Sequence, residues 1–213
     1  EIRVGSHRSL FHPEDLINHK EDAANNFARG HYTVGQAVIE QTMERVRKQA
    51  EACPGLQGFM MFHSFGGGTG SGFTALLLDR LNVEFGKSNL LRYAVFPSPK
   101  LSTSVVEPIN SVLHASATME MDHCVFIFDN EATYNLCHHK LGIASPHYSH
   151  LNHHVAQVVS ASTAALRFDG DLNVDMQDFR TNLVPLPRLH FPVMSYAPVI
   201  ARDRARYAQP DAC

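Results

Sequence analysis

Seven consecutive residues, Gly66-Gly67-Gly68-Thr69-Gly70-Ser71-Gly72, carry the clearest chemistry in this sequence. Their five glycines give access to positive φ and leave bare backbone N–H groups that an oxyanion can approach. Thr69 and Ser71 add hydroxyl donors. Behind them, residues 73–85 carry Leu76, Leu77, Leu78 and Leu81 and read as a helix. A helix N-terminus is partly positive, so loop and helix together form a phosphate cradle. A Walker loop is excluded, because Gly72 is followed by Phe73 where Lys is needed before Thr74. The dinucleotide pattern G-x-G-x-x-G is excluded too: Ser71 or Phe73 occupies its third glycine position. A plain strand-to-helix turn needs only about one or two glycines.

The histidines and cysteines offer weaker chemistry. His150, His153 and His154 stand at i, i+3 and i+4, a spacing that suits zinc or copper. No Glu follows the first of them, so H-E-x-x-H fails and a solvated helix face is the default. His138-His139 is a signal of the same kind, and His63 reads as a hydrogen-bonded core residue. Cys53, Cys124, Cys137 and Cys213 are far apart, with no C-x-x-C pair. They predict reduced thiols rather than a zinc knuckle or a disulfide framework, and no metal ligand set is assigned.

The chain that positions these residues has 213 of them, one large domain or two small ones at ~150 residues each. With 44% hydrophobic and 18% charged residues it can bury a core, which excludes a wholly disordered chain. A net charge of −3 provides no basic field for nucleic acid or an anionic membrane. No apolar run approaches the ~18 residues of a membrane helix, and no charged-then-apolar signal pattern opens the sequence. Residues 1–29 read as loops and short elements, with a polar loop at 20–26. Thr33 and Gln36 predict a capping box for a helix over 33–52, whose apolar stripe is Ile39, Met43, Val46 and Ala50. Residues 58–64, 91–96 and 124–128 predict buried strands, and 193–197 a further one. Helices are predicted over 107–121, with Pro108 in the first turn, over 130–137, over 148–168, and within 173–183. Alternating strands and helices predict an α/β fold with a parallel sheet, whose ligands bind beyond the strands' carboxyl ends.

At this point the sequence resembles the tubulin family. The heptad at 66–72 stands as that family's signature. Asp22-Ala23-Ala24-Asn25-Asn26 with Ala28-Arg29-Gly30 looks like its third nucleotide loop. Val105-Val106-Glu107-Pro108, Phe128-Asp129-Asn130-Glu131-Ala132, Leu166-Arg167-Phe168-Asp169-Gly170 and Thr181-Asn182-Leu183-Val184-Pro185 match further stretches. The resemblance runs nearly gap-free over residues 1–200. Phe73, Asp169-Gly170 and the acid at Asp178 favour the α class. The implied fold is a Rossmann-like parallel sheet with helices on both faces, over 1–147. A core helix over 148–168 follows, then the start of an α+β intermediate domain over 169–213.

The resemblance implies GTP and Mg2+ as cofactors. Ser64, Gly67, Gly68, Thr69 and Gly70 match residues that wrap the phosphates. Asp22, Ala23 and Asn25 match the γ-phosphate end, and Thr103 and Glu107 the sugar. Asn130 and Asn152 match contacts to the guanine edge, where amides both donate and accept, and Tyr148 matches the ring stacked on the base. The implied catalytic acid is Asp178, offered in trans to the GTP of a β-tubulin partner in a GTPase reaction. The α class has glutamate there, and the shorter side chain sets the carboxylate back by ~1 Å, a misplacement that can cost about 10²-fold. The implied role is a structural subunit of cytoplasmic microtubules, a cytoskeletal heterodimer with β-tubulin that also meets microtubule-associated proteins. The family's opening strand and an acidic loop supporting the magnesium-bound phosphates are expected before Glu1, and most of a second domain after Cys213. Arg202-Asp203-Arg204-Ala205-Arg206 departs from the family at the loop used for lateral contact. These departures keep a second reading open: a divergent or truncated tubulin-like polypeptide that neither polymerises nor hydrolyses GTP.

Overall fold

A computed structural model of the protein describes residues 2–102, 104–121, 123–170 and 174–201. Thr103 and the segment 202–206 lie outside the described residues. The chain forms two compact units that alternate along the sequence. Unit one comprises residues 1–58, 65–88 and 106–121, and unit two comprises 59–64, 89–105 and 122–213.

Unit one holds α1 (Val34–Ala52), α2 (Thr74–Phe85) and α3 (Glu107–Thr118). α1 buries Gly35, Ile39 and Met43, four residues apart on one stripe, and α2 buries Ala75, Leu76, Leu78 and Leu81. Arg47 of α1 grips Glu84 of α2 with a two-pronged hydrogen bond, its Nη2 donating to Oε2 at 2.9 Å. α3 inverts the usual pattern. Asn110, Ser111, His114 and Thr118 face inward, while Ile109 and Val112 are exposed.

Both α1 and α2 begin earlier than their apolar periodicity suggests. A π-helical turn, Arg29–Thr33, leads into α1, and another, Thr69–Phe73, leads into α2. The Thr33 hydroxyl therefore donates back to the carbonyl of Arg29 at 3.1 Å instead of capping α1, and the expected capping box is not formed.

Unit two is built on a sheet of order β1-β2-β3, with β1 (Gly58–Ser64), β2 (Asn89–Phe96) and β3 (Cys124–Asp129). β2 and β3 run parallel, with Leu91 opposite Cys124 and Tyr93 opposite Phe126. Parallel strands need a long crossover, and the intervening sequence supplies one. Around the sheet lie α4 (Asn130–His139), α5 (Tyr148–Ser162), α6 (Ala164–Arg167) and α7 (Met176–Leu183). The core gathers Leu91, Tyr93, Cys124, Phe126 and Phe128 with Val158 of α5 and Met176 of α7. Stacked rings of Tyr93 and Phe126, 5.4 Å apart, lie at its centre.

Two expected elements are shorter than their sequence suggests. The helix expected over 148–168 breaks at Thr163, whose hydroxyl donates to the carbonyl of Val159 at 2.9 Å. The strand expected over 193–197 is reduced to one bridge, Ile127 with Val193, because prolines at 192 and 198 lack the N–H a ladder needs. His63 behaves as expected: it is buried, and its Nε2 lies 3.3 Å from Nη1 of the buried Arg92.

Candidate functional site

In unit one the glycine turn and the loop Asp22-Ala23-Ala24-Asn25-Asn26 are held side by side. The agent is Asn110 on α3, only 3% exposed. Its Nδ2 donates to the carbonyls of Asn25 (2.9 Å) and Gly66 (2.8 Å). Its Oδ1 accepts from the backbone N–H of Phe27 at 3.1 Å. Ala24 and Asn25 are both left-handed, at φ 49° and 53°. Non-glycine residues rarely adopt this conformation, and such strain clusters at functional sites.

The heptad glycines do not serve positive φ. Among the described glycines only Gly142 has it. Gly68 and Gly72 instead allow main chains to touch. A Cβ at Gly68 would lie 2.6 Å from the Asn26 nitrogen, and one at Gly72 would lie 2.2 Å from the Phe27 carbonyl. Gly66 backs onto the Glu107 side chain, 3.1 Å from where its Cβ would be. Gly67 alone among these four faces open space, with nothing within 4 Å. The Ser71 N–H and hydroxyl both donate to the Gly67 carbonyl, which opens the helical run of α2. His114, fully buried on α3, sets its Nδ1 2.7 Å from the Ser71 carbonyl.

A cavity of about 530 Å³ opens beside this turn, lined in part by Asp22, Ala23, Thr69 and Phe73. Asp22 and Thr69 are exposed, Ala23 is buried, and Gly70 is half-buried. Unit one thus brings together Asp22, Ala23, Asn25, Gly67, Gly68, Thr69, Gly70 and Glu107. Asn110 was not recognised from the sequence, because its partners lie 44, 83 and 85 positions away.

Unit two holds the other expected residues. Ser64 ends β1 and is exposed. Asn130 is the first residue of α4, whose N-cap Asp129 accepts from the Glu131 N–H at 2.8 Å. Tyr148 and Asn152 lie one turn apart on α5, on one face, and both are exposed. The Tyr148 ring meets Tyr134 of α4 edge-on, 6.5 Å between centroids. A groove of about 490 Å³ runs past Asn152, lined also by Phe62, Val155 and Val159. Lys100, in the loop after β2, reaches Glu131 of α4 at 3.0 Å.

Asp178 is the third residue of α7, and its Oδ2 accepts the backbone N–H of Asp175 at 2.9 Å. This is the return bond of a capping box. Two of the three histidines serve elsewhere. His150 Nδ1 accepts the His147 N–H at 3.1 Å, and the His154 ring meets Tyr196 edge-on at 6.0 Å. No group of three or more His, Cys, Asp or Glu side chains among the described residues is placed to hold a metal ion. No described helix is long and apolar enough to cross a membrane.

The model of the Tubulin/FtsZ family, GTPase domain, matches residues 1–138. The Tubulin alpha-8 chain of Caenorhabditis elegans is 60% identical over 207 residues, covering 97% of this chain and 46% of the relative. The Tubulin alpha-1 chain of Emericella nidulans is 58% identical over the same length and shares. The chain spans about half the length of the curated relatives it matches. A glycine turn locked to a strained loop, a parallel α/β sheet, and a family match over most of its length make the chain a member of the Tubulin/FtsZ family.

Proposed function

We propose that this chain is a GTP-binding subunit of microtubules that pairs with β-tubulin in the cytoplasmic cytoskeleton. The observation that carries the reading is the paired loops of unit one, where Gly67 offers an open backbone face beside the strained Asp22–Asn26 loop. The α2 N-terminus adds partial positive charge for phosphate. In this reading Gly67, Gly68, Thr69 and Gly70 take the phosphates, with Ser64, and Asp22, Ala23 and Asn25 take their γ end. Glu107, with Thr103, serves the sugar. Asn130 and Asn152 read the guanine edge while Tyr148 stacks on the base. Its 65% exposure leaves the ring free for that contact.

The residues present also fit Mg2+. That ion commonly takes one or two carboxylates plus substrate phosphates, and Asp22 stands exposed in the cavity beside Thr69. Bound there, the ion supplies charge neutralisation to the phosphates. Asp178 is offered to the partner's GTP. Microtubule-associated proteins are further partners of the assembled polymer.

Equilibrium binding of a fluorescent GTP analogue, followed by co-sedimentation with β-tubulin polymers, tests this. Saturable binding and recovery in the pellet are expected. Absence of binding rejects the nucleotide role, and exclusion from the pellet rejects the polymer role. The second reading, a tubulin-like polypeptide that neither polymerises nor hydrolyses GTP, draws on Asp178 being engaged within its own helix cap. It predicts nucleotide binding without pelleting.

A further inference from the structure

Asn110 uses every strong hydrogen-bonding group of its carboxamide but one lone pair, and it does so across loops far apart in sequence. One Nδ2 hydrogen goes to the loop that carries Asp22 and Asn25, the other to the turn that carries Gly67. We infer that Asn110 is a positioning residue for the triphosphate: it sets the spacing between these two loops and so the place where phosphate oxygens meet backbone N–H groups. The inference rests on the nucleotide reading above.

Three features support it. First, Asn110 is 3% exposed, so its bonds are shielded from competing water and rigidly specified. Second, the Asn25 carbonyl it grips closes a two-residue left-handed turn, which the local sequence does not favour at Ala24. An external hydrogen bond is what keeps that turn in one geometry. Third, Gly66, the second carbonyl gripped, immediately precedes Gly67, whose face is open. Glu107, one turn earlier on α3, lies along Gly66. The first turn of α3 is thus a bracket that fixes both loops. Only an amide does this. A carboxylate keeps the acceptor for Phe27 and loses both donors, and a hydroxyl can donate to only one of the two carbonyls.

Binding of GTP and of guanosine to the full chain by calorimetry tests this with Asn110→Ser and Asn110→Asp, alongside thermal melts. For a folded variant the expected result is GTP binding weaker by roughly tenfold or more, with guanosine binding changed by less than about twofold. Equal losses for both ligands, or full GTP affinity in a folded variant, overturn the assignment. Should both variants unfold, hydrogen exchange on the unsubstituted chain decides. Added GTP is expected to slow exchange at 25–27 and 66–67 together, and protection of one loop alone overturns the coupling. Failure of the unsubstituted chain to bind GTP rejects the nucleotide reading and this assignment with it, whereas equal binding by parent and variants rejects the role of Asn110 alone.

Discussion

Gly30 is pressed against Gly68: a methyl group on Gly30 would stand 2.1 Å from the Gly68 carbonyl oxygen. The two π-helical turns meet backbone to backbone there, and Gly72 makes a second such contact with the Phe27 carbonyl. Neither obstacle is a flexible side chain that can swing aside. Gly30→Ala and Gly72→Ala are therefore expected to destabilise the chain by about 1–3 kcal/mol or more, the usual cost of overpacking. Urea-denaturation midpoints measure this, and midpoints equal to the parent's would refute the tight contact.

Gly67→Ala is the contrasting substitution. Nothing lies within 4 Å of its added methyl, and Gly67 lacks positive φ. Stability is expected to change by less than about 0.5 kcal/mol, as for ordinary surface changes. GTP binding should nevertheless fall, because the methyl occupies the face proposed for phosphate. A melt and a binding isotherm on one preparation separate the two effects; an unaltered isotherm would show that phosphate does not approach there.

Asp178 can be probed both at its helix cap and at its proposed role in hydrolysis. Asp178→Ala removes the return bond of the α7 capping box, which should cost about 0.5–2 kcal/mol. Glutamate is the usual residue at that cap position, so Asp178→Glu should preserve stability. It also extends the carboxylate, and GTP hydrolysis in mixed polymers with β-tubulin should rise. Phosphate release is the assay, and an unchanged rate would mean that side-chain length is not limiting.

Acid should weaken the fold through His31 and His154. Burial pushes both below the ordinary value of 6.5, with His153 adding repulsion at His154 and Asp79 opposing the shift at His31. The unfolded chain then binds more protons than the folded one in the window just below 6.5. The stability these groups support is complete above that pH and is lost as pH falls toward their lowered folded values. Denaturation midpoints should drop as pH falls below 6.5, and His154→Gln should flatten the decline. An identical slope in the variant would exclude His154.

The described cysteines should differ sharply in reactivity. Burial pushes the Cys124 thiol up to about 11 and raises Cys137 as well, whereas Cys53 is exposed. Thiolate is the reactive form, so alkylation at about pH 8 should label Cys53 first. Peptide mapping by mass spectrometry reads the order.

Much of this was legible in the sequence, for physical reasons. β2 is a near-continuous apolar run, which only a strand buried on both faces requires. The heptad reads in sequence as a phosphate cradle with access to positive φ, whereas its described glycines lack positive φ and Gly68 and Gly72 serve close contact between main chains. The π-helical turns were hidden, because five-residue turns leave no periodic trace in side-chain polarity. Arg92 and Asn110 were hidden as well. A charged or amide side chain reads as surface until its distant partners are known, and both are buried. The inward polar face of α3 runs against the amphipathic rule and could not be read from spacing alone.

The alternation of the two units along the chain has a practical corollary. Each is assembled from separate stretches of polypeptide, and the boundaries at 58, 64, 88, 105 and 121 carry the backbone back and forth. A fragment that keeps every stretch of unit one therefore also carries 59–64 and 89–105 of unit two, and one that keeps every stretch of unit two also carries 65–88 and 106–121 of unit one. Neither unit can be cut free of the other's polypeptide by trimming the ends alone.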